Sequence, residues 1–348
     1  MTLSPEDIRA ARAASTLRVR ELAAELGLAE AQLVAARTGR GVTRIAAHPD
    51  RLIPEASKLG EVMALTRNDS AVHERVGTFG DYRSGPHAAM VLGEEIDTRI
   101  FPRHWVHGFA VEEETGQGLR RSLQVFDAAG DAVQKIYLRD ASRQEAWSGV
   151  VTALREAEQP EALAVDPRDP PEPAKMRPEA RDALLAEWAR MTDTHQFNRL
   201  ASKFGMNRLG AYRLIAGTGW VRPMETGAVS AMLGAASATG QEVGLFVGNR
   251  GNIQIHWGPM QTIKPMGPWL NVLDPRFNLH LRGDHLAEVY RVEKPTKRGP
   301  AVSLEAFDAA GQLIFQVFGR RRDEADGNEA WHALVEALPA ARTSEVPA

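Results

Sequence analysis

A chain of 348 residues is too long for one ordinary domain and suits two of average size. Hydrophobic residues at 43% and charged residues at 25% are ordinary for a globular protein, and a net charge of −3 argues against a nucleic-acid binder working through a broad basic surface. Cysteine is absent, which excludes disulfides, thiolate metal sites and cysteine nucleophiles and suits a reducing compartment.

In chain order, MTLSPEDIRAARAAS is charged and lacks the apolar centre of a signal peptide. No apolar run approaches the ~18 residues that cross a bilayer, so a soluble, cytoplasmic protein with no membrane span is expected. RVRELAAELGLAEAQLVAART (18–38) has apolar residues at helical spacing, broken at Gly27. β-rich runs follow, then a short helix around Glu-Ala-Trp at 145–147. EQPEALAVDPRDPPEPAKMRPE (158–179) is rich in proline and acid and reads as an exposed linker. PEARDALLAEWAR (178–190) is helical, and in MTDTHQFNRL (191–200) Asp193 and Gln196 have capping-box spacing for a new helix. That helix breaks at Gly205. EVGLFVGNRGNIQIHW (242–257) is a hairpin turning at Gly248-Asn249-Arg250-Gly251, and AVSLEAFDAAGQLIFQVFGR (301–320) is another around Asp308-Ala309-Ala310-Gly311. A second Glu-Ala-Trp, at 329–331, opens the last helix.

These elements are one unit written twice. QVFDAAG (124–130) recurs as EAFDAAG (305–311), 181 positions later, and the same offset lays 91–118 over 272–299 without a gap. His104, Val111, Glu112, Thr115 and Gly118 all meet identical residues. The helices repeat at an offset of 178, pairing Leu22 with Leu200 and Gly27 with Gly205. The expected fold is α+β: an internal duplication of two similar halves, each a large antiparallel sheet flanked by helices, with a ligand cleft between them. The expected divisions are an N-terminal repeat over 1–157, the linker over 158–178, a C-terminal repeat over 179–338 and a tail over 339–348.

Residues present in one copy alone draw interest. His195 lies over Leu17, so the first copy has no counterpart. In the first turn of a helix, the positive end of the dipole opposes imidazole protonation, and a neutral imidazole is what metal ligation needs. On the residues alone, a capping or surface histidine is the plainer reading.

MTDTHQF, FVGNRGNIQIHWG, GPWLNVLDPRFNLHL, KPTKRG and, in the first half, NDSAVHERVGTF together resemble the HemS/ChuS/PhuS family of hemin-degrading and haem-transfer proteins. The likeness runs from about Arg18 to Trp331. It implies haem b as the ligand, His195 as axial ligand of the iron, and pocket positions at Arg99 on the distal face, Phe101 beside it, Arg208, Phe246, Lys294, Phe318 and Arg321. His73 matches a family histidine and reads either as a secondary ligand or, by preference, as a strand residue. The residue types suit the chemistry: guanidinium and ammonium groups take propionates, and aromatic rings cover the macrocycle. Where some relatives have tyrosine, this chain has Phe318, so a role resting on that hydroxyl is open.

The resemblance implies a haem chaperone, a hemin-degrading enzyme that opens the macrocycle to release iron, or both. Its partners would be haem itself and either a haem-uptake transporter or a downstream haem oxygenase. The competing reading is a helix-turn-helix regulator, because RELAAELGLAEAQLVAARTG (20–39) has the right outline. Its would-be recognition helix, AEAQLVAAR, carries almost no base-reading side chains, so no nucleic-acid partner is expected.

Overall fold

The two FDAAG segments close their hairpins by the same local chemistry. Asp127 Oδ1 accepts from the amides of Ala129 (3.0 Å) and Asp131 (2.9 Å), and Asp308 Oδ1 from those of Ala310 (2.9 Å) and Gln312 (2.8 Å). A short carboxylate mimics the turn's own acceptor. Gly130 and Gly311, at φ 78° and 82°, take the left-handed position that a side chain would resist.

The computed structural model describes residues 3–321 and 328–341; most of the expected 339–348 tail lies outside these. The first copy runs α1 (Pro5–Ala14), α2 (Val19–Glu25), α3 (Glu30–Ala35), β1 (Val42–Ile45), α4 (Pro49–Ser57), β2 (Gly60–Arg67), β3 (Ala71–Gly77), β4 (Asp81–Arg83), β5 (Ala89–Leu92), β6 (Asp97–Ile100), β7 (His107–Thr115), β8 (Gly118–Phe126), β9 (Ala132–Ser142) and α5 (Trp147–Leu154). The second runs α6 (Arg181–Trp188), α7 (Gln196–Lys203), α8 (Arg208–Leu214), β10 (Val221–Met224), α9 (Ala228–Thr239), β11 (Val243–Gly248), β12 (Asn252–Gly258), β13 (Ile263–Met266), β14 (Trp269–Asp274), β15 (Phe277–Arg282), β16 (Glu288–Lys294), β17 (Ala301–Phe307), β18 (Leu313–Gly319) and α10 (Glu329–Glu336). The order of helices and strands is the same in both. Among the described residues the strands make two antiparallel sheets of nine.

Two compact units divide the chain. The first takes the residues up to 68, 72–169 and 248–255; the second takes 69–71, 170–247 and the residues from 256 on. Within the first, β1, β7, β8, β9, β2 and β3 lie side by side in that order, and β4, β5 and β6 lead to residues 252–255 of β12. Within the second, β10, β16, β17, β18 and β11 repeat the main order, and β13, β14 and β15 repeat the smaller one. Register repeats too. Phe109 faces Gln124 as Tyr290 faces Glu305, and the bulge at Val125/Phe126 recurs at Ala306/Phe307. The duplicated α+β fold is therefore present strand by strand.

In the first unit, Ala31, Val34 and Ala35 of α3 pack on Val42, Phe109, Val111 and Phe126 of the sheet. Glu30, Ala31, Leu33, Val34 and Ala35 are all buried, so the helix read as a candidate DNA-recognition element shows no face to a groove. In the second unit, α9 and α10 cover one face of the main sheet through Met232, Leu233, Trp331 and Val335. Helices α6, α7 and α8 cover part of the other through Trp188, Phe197, Leu209 and Tyr212 against Tyr290, Val292 and Phe307. Among the described residues, no helix is long and apolar enough to cross a membrane.

The linker has no regular structure, but it is tied down. Its prolines lack donors, so it is held largely through its carbonyls and side chains, with the amides of Asp166 and Lys175 adding to them. Gln159 exchanges hydrogen bonds with the backbone of Arg44 (2.8 and 2.9 Å), whose guanidinium donates to the carbonyls of Pro160 and Ala162. Farther on, Asn207 Nδ2 donates to Pro173 O (2.7 Å), and Asn207 Oδ1 accepts from the Lys175 amide (3.0 Å). Gly210 on α8 permits this, since a Cβ there would stand 1.8 Å from Lys175 O. Gly210→Ala is therefore expected to push out the 173–175 stretch at a cost of about 1–3 kcal/mol. Thermal unfolding should shift down, and limited proteolysis within 170–178 should quicken. Unchanged melting and cleavage would refute this tie.

Candidate functional site

The site grows from the junction of α6 and α7. Gln196 Oε1 accepts from the Thr192 amide (2.8 Å), and Gln196 Nε2 donates back to Thr192 Oγ1 (3.2 Å). The reciprocal closure expected of Asp193 and Gln196 thus belongs to Thr192 and Gln196. The Asp193 carboxylate turns instead to His195, where its Oδ1 accepts from the backbone amide (2.8 Å) and meets the ring Nδ1 at 2.7 Å. His195 is the cap residue of α7, with its side chain 93% exposed. The backbone amide of His195, and then its ring, hold the Asp193 carboxyl below its ordinary value. An ionised carboxylate only accepts, so Nδ1 is the donor of this pair, and Nε2 is the ring nitrogen with no part in it.

Beneath α7 and α8 lies a buried charge cluster. Glu305, in the middle of β17, is 0% exposed. It accepts from Arg208 Nη1 (2.9 Å), Lys294 Nζ (2.7 Å), the Tyr212 hydroxyl (2.9 Å) and the Ser303 hydroxyl (2.8 Å). Arg208 also reaches Tyr212 Oη (3.0 Å) and Asn198 Oδ1 on α7 (3.1 Å). Phe197 lies under both cations, 5.0 Å from the Arg208 guanidinium and 5.1 Å from Lys294 Nζ. Burial alone would raise the Glu305 carboxyl, but Lys294 and Arg208 outweigh it and bring it down to about 2. Burial takes Lys294 down to about 8 against the pull of Glu305. These directions agree because the cluster holds two cations and one anion, a surplus of positive charge. The Arg208 side chain, 23% exposed, is its open end, while Lys294 is closed in.

The first copy inverts this arrangement. Glu30 stands where α8 has Arg208; it is buried with Lys135 (2.6 Å) and Arg67. Burial opposes its ionisation, yet the two cations hold its carboxyl below its ordinary value. Glu113 occupies the position of Lys294, Gln124 that of Glu305 and Leu17 that of His195.

The remaining candidates sort by unit. Phe246 on β11 and Phe318 on β18 meet edge to face at 5.4 Å, and Phe246 meets Trp257 at 5.7 Å. Phe318 lies opposite Ser303, the neighbour of Glu305 on the same strand face. Arg321 donates to the carbonyls of Pro300 (2.8 Å) and Arg298, fastening the KPTKRG loop. In the other unit, Arg99 pairs with Asp97 along β6 and donates to Thr98 O (3.1 Å), and the Phe101 amide donates to Gly251 O (2.9 Å). His73 is wholly buried on β3, with Nδ1 2.9 Å from Gln254 Nε2. The geometry thus joins Arg208 to Lys294 and Phe246 to Phe318, with His195 heading the helix whose Asn198 engages Arg208. Sequence reasoning did not single out Glu305, Tyr212 or the use of Asp193. The substitution of Glu305 for Gln124 within an otherwise kept FDAAG repeat was the available signal.

Two cations left around an uncharged partner make Glu305→Gln costly, by about 3–5 kcal/mol, as for breaking any buried ion pair. Because the folded carboxyl is depressed from 4.5 to about 2, its contribution is complete above pH 4.5 and is lost as pH falls through that window. Denaturation midpoints measured across it should fall more steeply for the parent than for Glu305→Gln. Equal slopes would mean that Glu305 is not ionised in the fold.

Comparison with known proteins agrees with the duplicated fold. The family model for a haemin-degrading HemS/ChuX domain fits twice, over residues 27–154 and 205–338. The chain is 35% identical over 321 residues to the hemin transport protein HmuS of Yersinia pestis, covering 92% of each. Holo-PhuS, a heme-binding protein from Pseudomonas aeruginosa, superposes with a TM-score of 0.92 at 39% identity, over 97% of this chain and 100% of that one. ChuS, an E. coli heme oxygenase, superposes with a TM-score of 0.86 at 31% identity, over 95% of this chain and 99% of that one. With one such domain in each of its duplicated halves, the chain belongs to the haemin-degrading HemS/ChuX family.

Proposed function

We propose that this protein binds haem b in the cytoplasm, in haem uptake and iron utilisation, with His195 as the axial ligand of the iron. The observation that carries the reading is the exposed His195 imidazole, whose Nδ1 is occupied by Asp193 while Nε2 is left to bind. The relatives named above, a hemin transport protein, a heme-binding protein and a heme oxygenase, support the ligand class.

Haem supplies an iron, a broad apolar macrocycle and two propionates. The residues fit those three demands. His195 offers the nitrogen, and the half-buried Phe246 and Phe318 rings offer apolar cover. The cluster's surplus positive charge comes to the surface at Arg208, with Lys294 adding to it from within, and Arg321 lies close after Phe318 in sequence; these guanidinium groups offer carboxylate partners. Arg99 and Phe101, in the first unit, take the distal role only by the family resemblance. Full burial of His73 supports its role as a strand residue over that of a secondary ligand. A carrier needs only reversible ligation, passing haem from an uptake transporter to a downstream oxygenase. A degrading enzyme needs in addition an open distal side at Arg99 and a supply of electrons.

Soret titrations test the proposal. His195→Ala should lose the parent spectrum and bind haem weakly while staying folded, because an exposed side chain carries little packing. Arg208→Ala and Arg321→Ala should keep the parent spectrum and weaken binding by about tenfold each, the scale of one charged hydrogen bond. A His195→Ala protein with unchanged spectrum and affinity would overturn the assignment.

A further inference from the structure

We infer that Asp193 is a positioning residue that sets the orientation and electron donation of the His195 imidazole. The inference rests on the reading of His195 as the metal ligand and deepens it.

A single oxygen, Asp193 Oδ1, accepts from both the backbone amide and the ring Nδ1 of His195. The two bonds make a clamp from two residues away. An imidazole 93% exposed would otherwise spread over several rotamers, and ordering it would have to be met at the moment of binding. The clamp removes that cost in advance.

Capping of the helix start accounts for the bond to the His195 amide but not for the bond to its ring. The first turn of α7 is served by backbone carbonyls, with the Gln196 amide on Asp193 O (3.2 Å) and the Phe197 amide on Thr194 O (3.2 Å). The reciprocal side-chain closure belongs to Thr192 and Gln196. The segment is further pinned by the Lys297 amide on Thr192 O (3.0 Å), so the backbone beside Asp193 is held independently of the ring.

A carboxylate behind a ligating imidazole fixes the tautomer and makes the ring more basic, and loss of such a partner costs about 10–100-fold in metal affinity or activity. Asp193 is therefore expected to strengthen the bond from Nε2 to iron and to favour the ferric state.

The test compares Asp193→Asn, Asp193→Ala and His195→Ala with the parent, each loaded with hemin. Asn keeps the size and capping ability of Asp but loses the charge. Asp193→Asn should retain the parent type of absorption spectrum and the thermal midpoint of the unloaded protein. Its iron–histidine stretching frequency in the ferrous complex should fall, its reduction potential should rise, and hemin should dissociate about tenfold faster or more. Asp193→Ala should show the same changes, larger. Parent-like stretching frequency, potential and dissociation in Asp193→Asn would overturn the inference, as would a loss of thermal stability with no spectroscopic change. Parent-like hemin binding by His195→Ala would instead overturn the reading of the ligand, an outcome separable because it appears without any change at Asp193.

Discussion

A carboxylate buried without water must be matched by charge, and Glu305 is matched by more than its own. Arg208 begins α8, Lys294 ends β16, Tyr212 lies one turn into α8, and all three reach the same two oxygens. Removing Glu305 would strand two cations in an apolar interior ringed by Trp188, Phe197, Tyr290 and Phe307. The cluster therefore fixes where α8 sits on the sheet. Through Asn198 it also fixes α7, and α7 carries His195 at its head. The position of the exposed histidine is set through a cluster whose carboxylate and ammonium are buried.

The inverted cluster of the first copy shows that the fold asks for a pinned helix start, not for a given sign of charge. Glu30 with Lys135 and Arg67 serves the same architectural purpose as Arg208 with Glu305. The consequences for ligands differ. Both clusters hold two cations for one carboxylate, but in the first copy the helix contributes the anion, and Glu113 replaces Lys294 on the sheet. With leucine at the position of His195, the first copy keeps the scaffold and has no imidazole at the head of that helix.

Much of the fold was legible because its hairpins are closed locally. An aspartate followed three residues later by a glycine closes each FDAAG turn by itself, so an unbroken 181-residue offset translates directly into matched registers. The helices kept a different offset because loops between helix and sheet absorb length without altering either. What stayed hidden depends on tertiary geometry. Asp193 and Gln196 have the spacing of a capping pair, and only the helical backbone at His195 turns the carboxylate to the ring instead. The proline-rich linker has the composition of a free tether. Its hydrogen bonds come from Arg44, Gln32 and Asn207, residues far away in sequence.

The short stretch 248–255 belongs to the first unit although it lies deep in the second copy of the sequence. Its residues Asn252–Ile255 pair with Ile100–Asp97 of β6, and Asn249 bonds to carbonyls of Arg67 and Val133. During synthesis β6 therefore leaves the ribosome long before its neighbour exists. At about 5–20 residues per second, that strand waits on the order of ten seconds with an open edge. An unpaired edge of this kind is a template for wrong pairing, so the gene duplication that made the two halves alike also tied the completion of the first to the translation of the second.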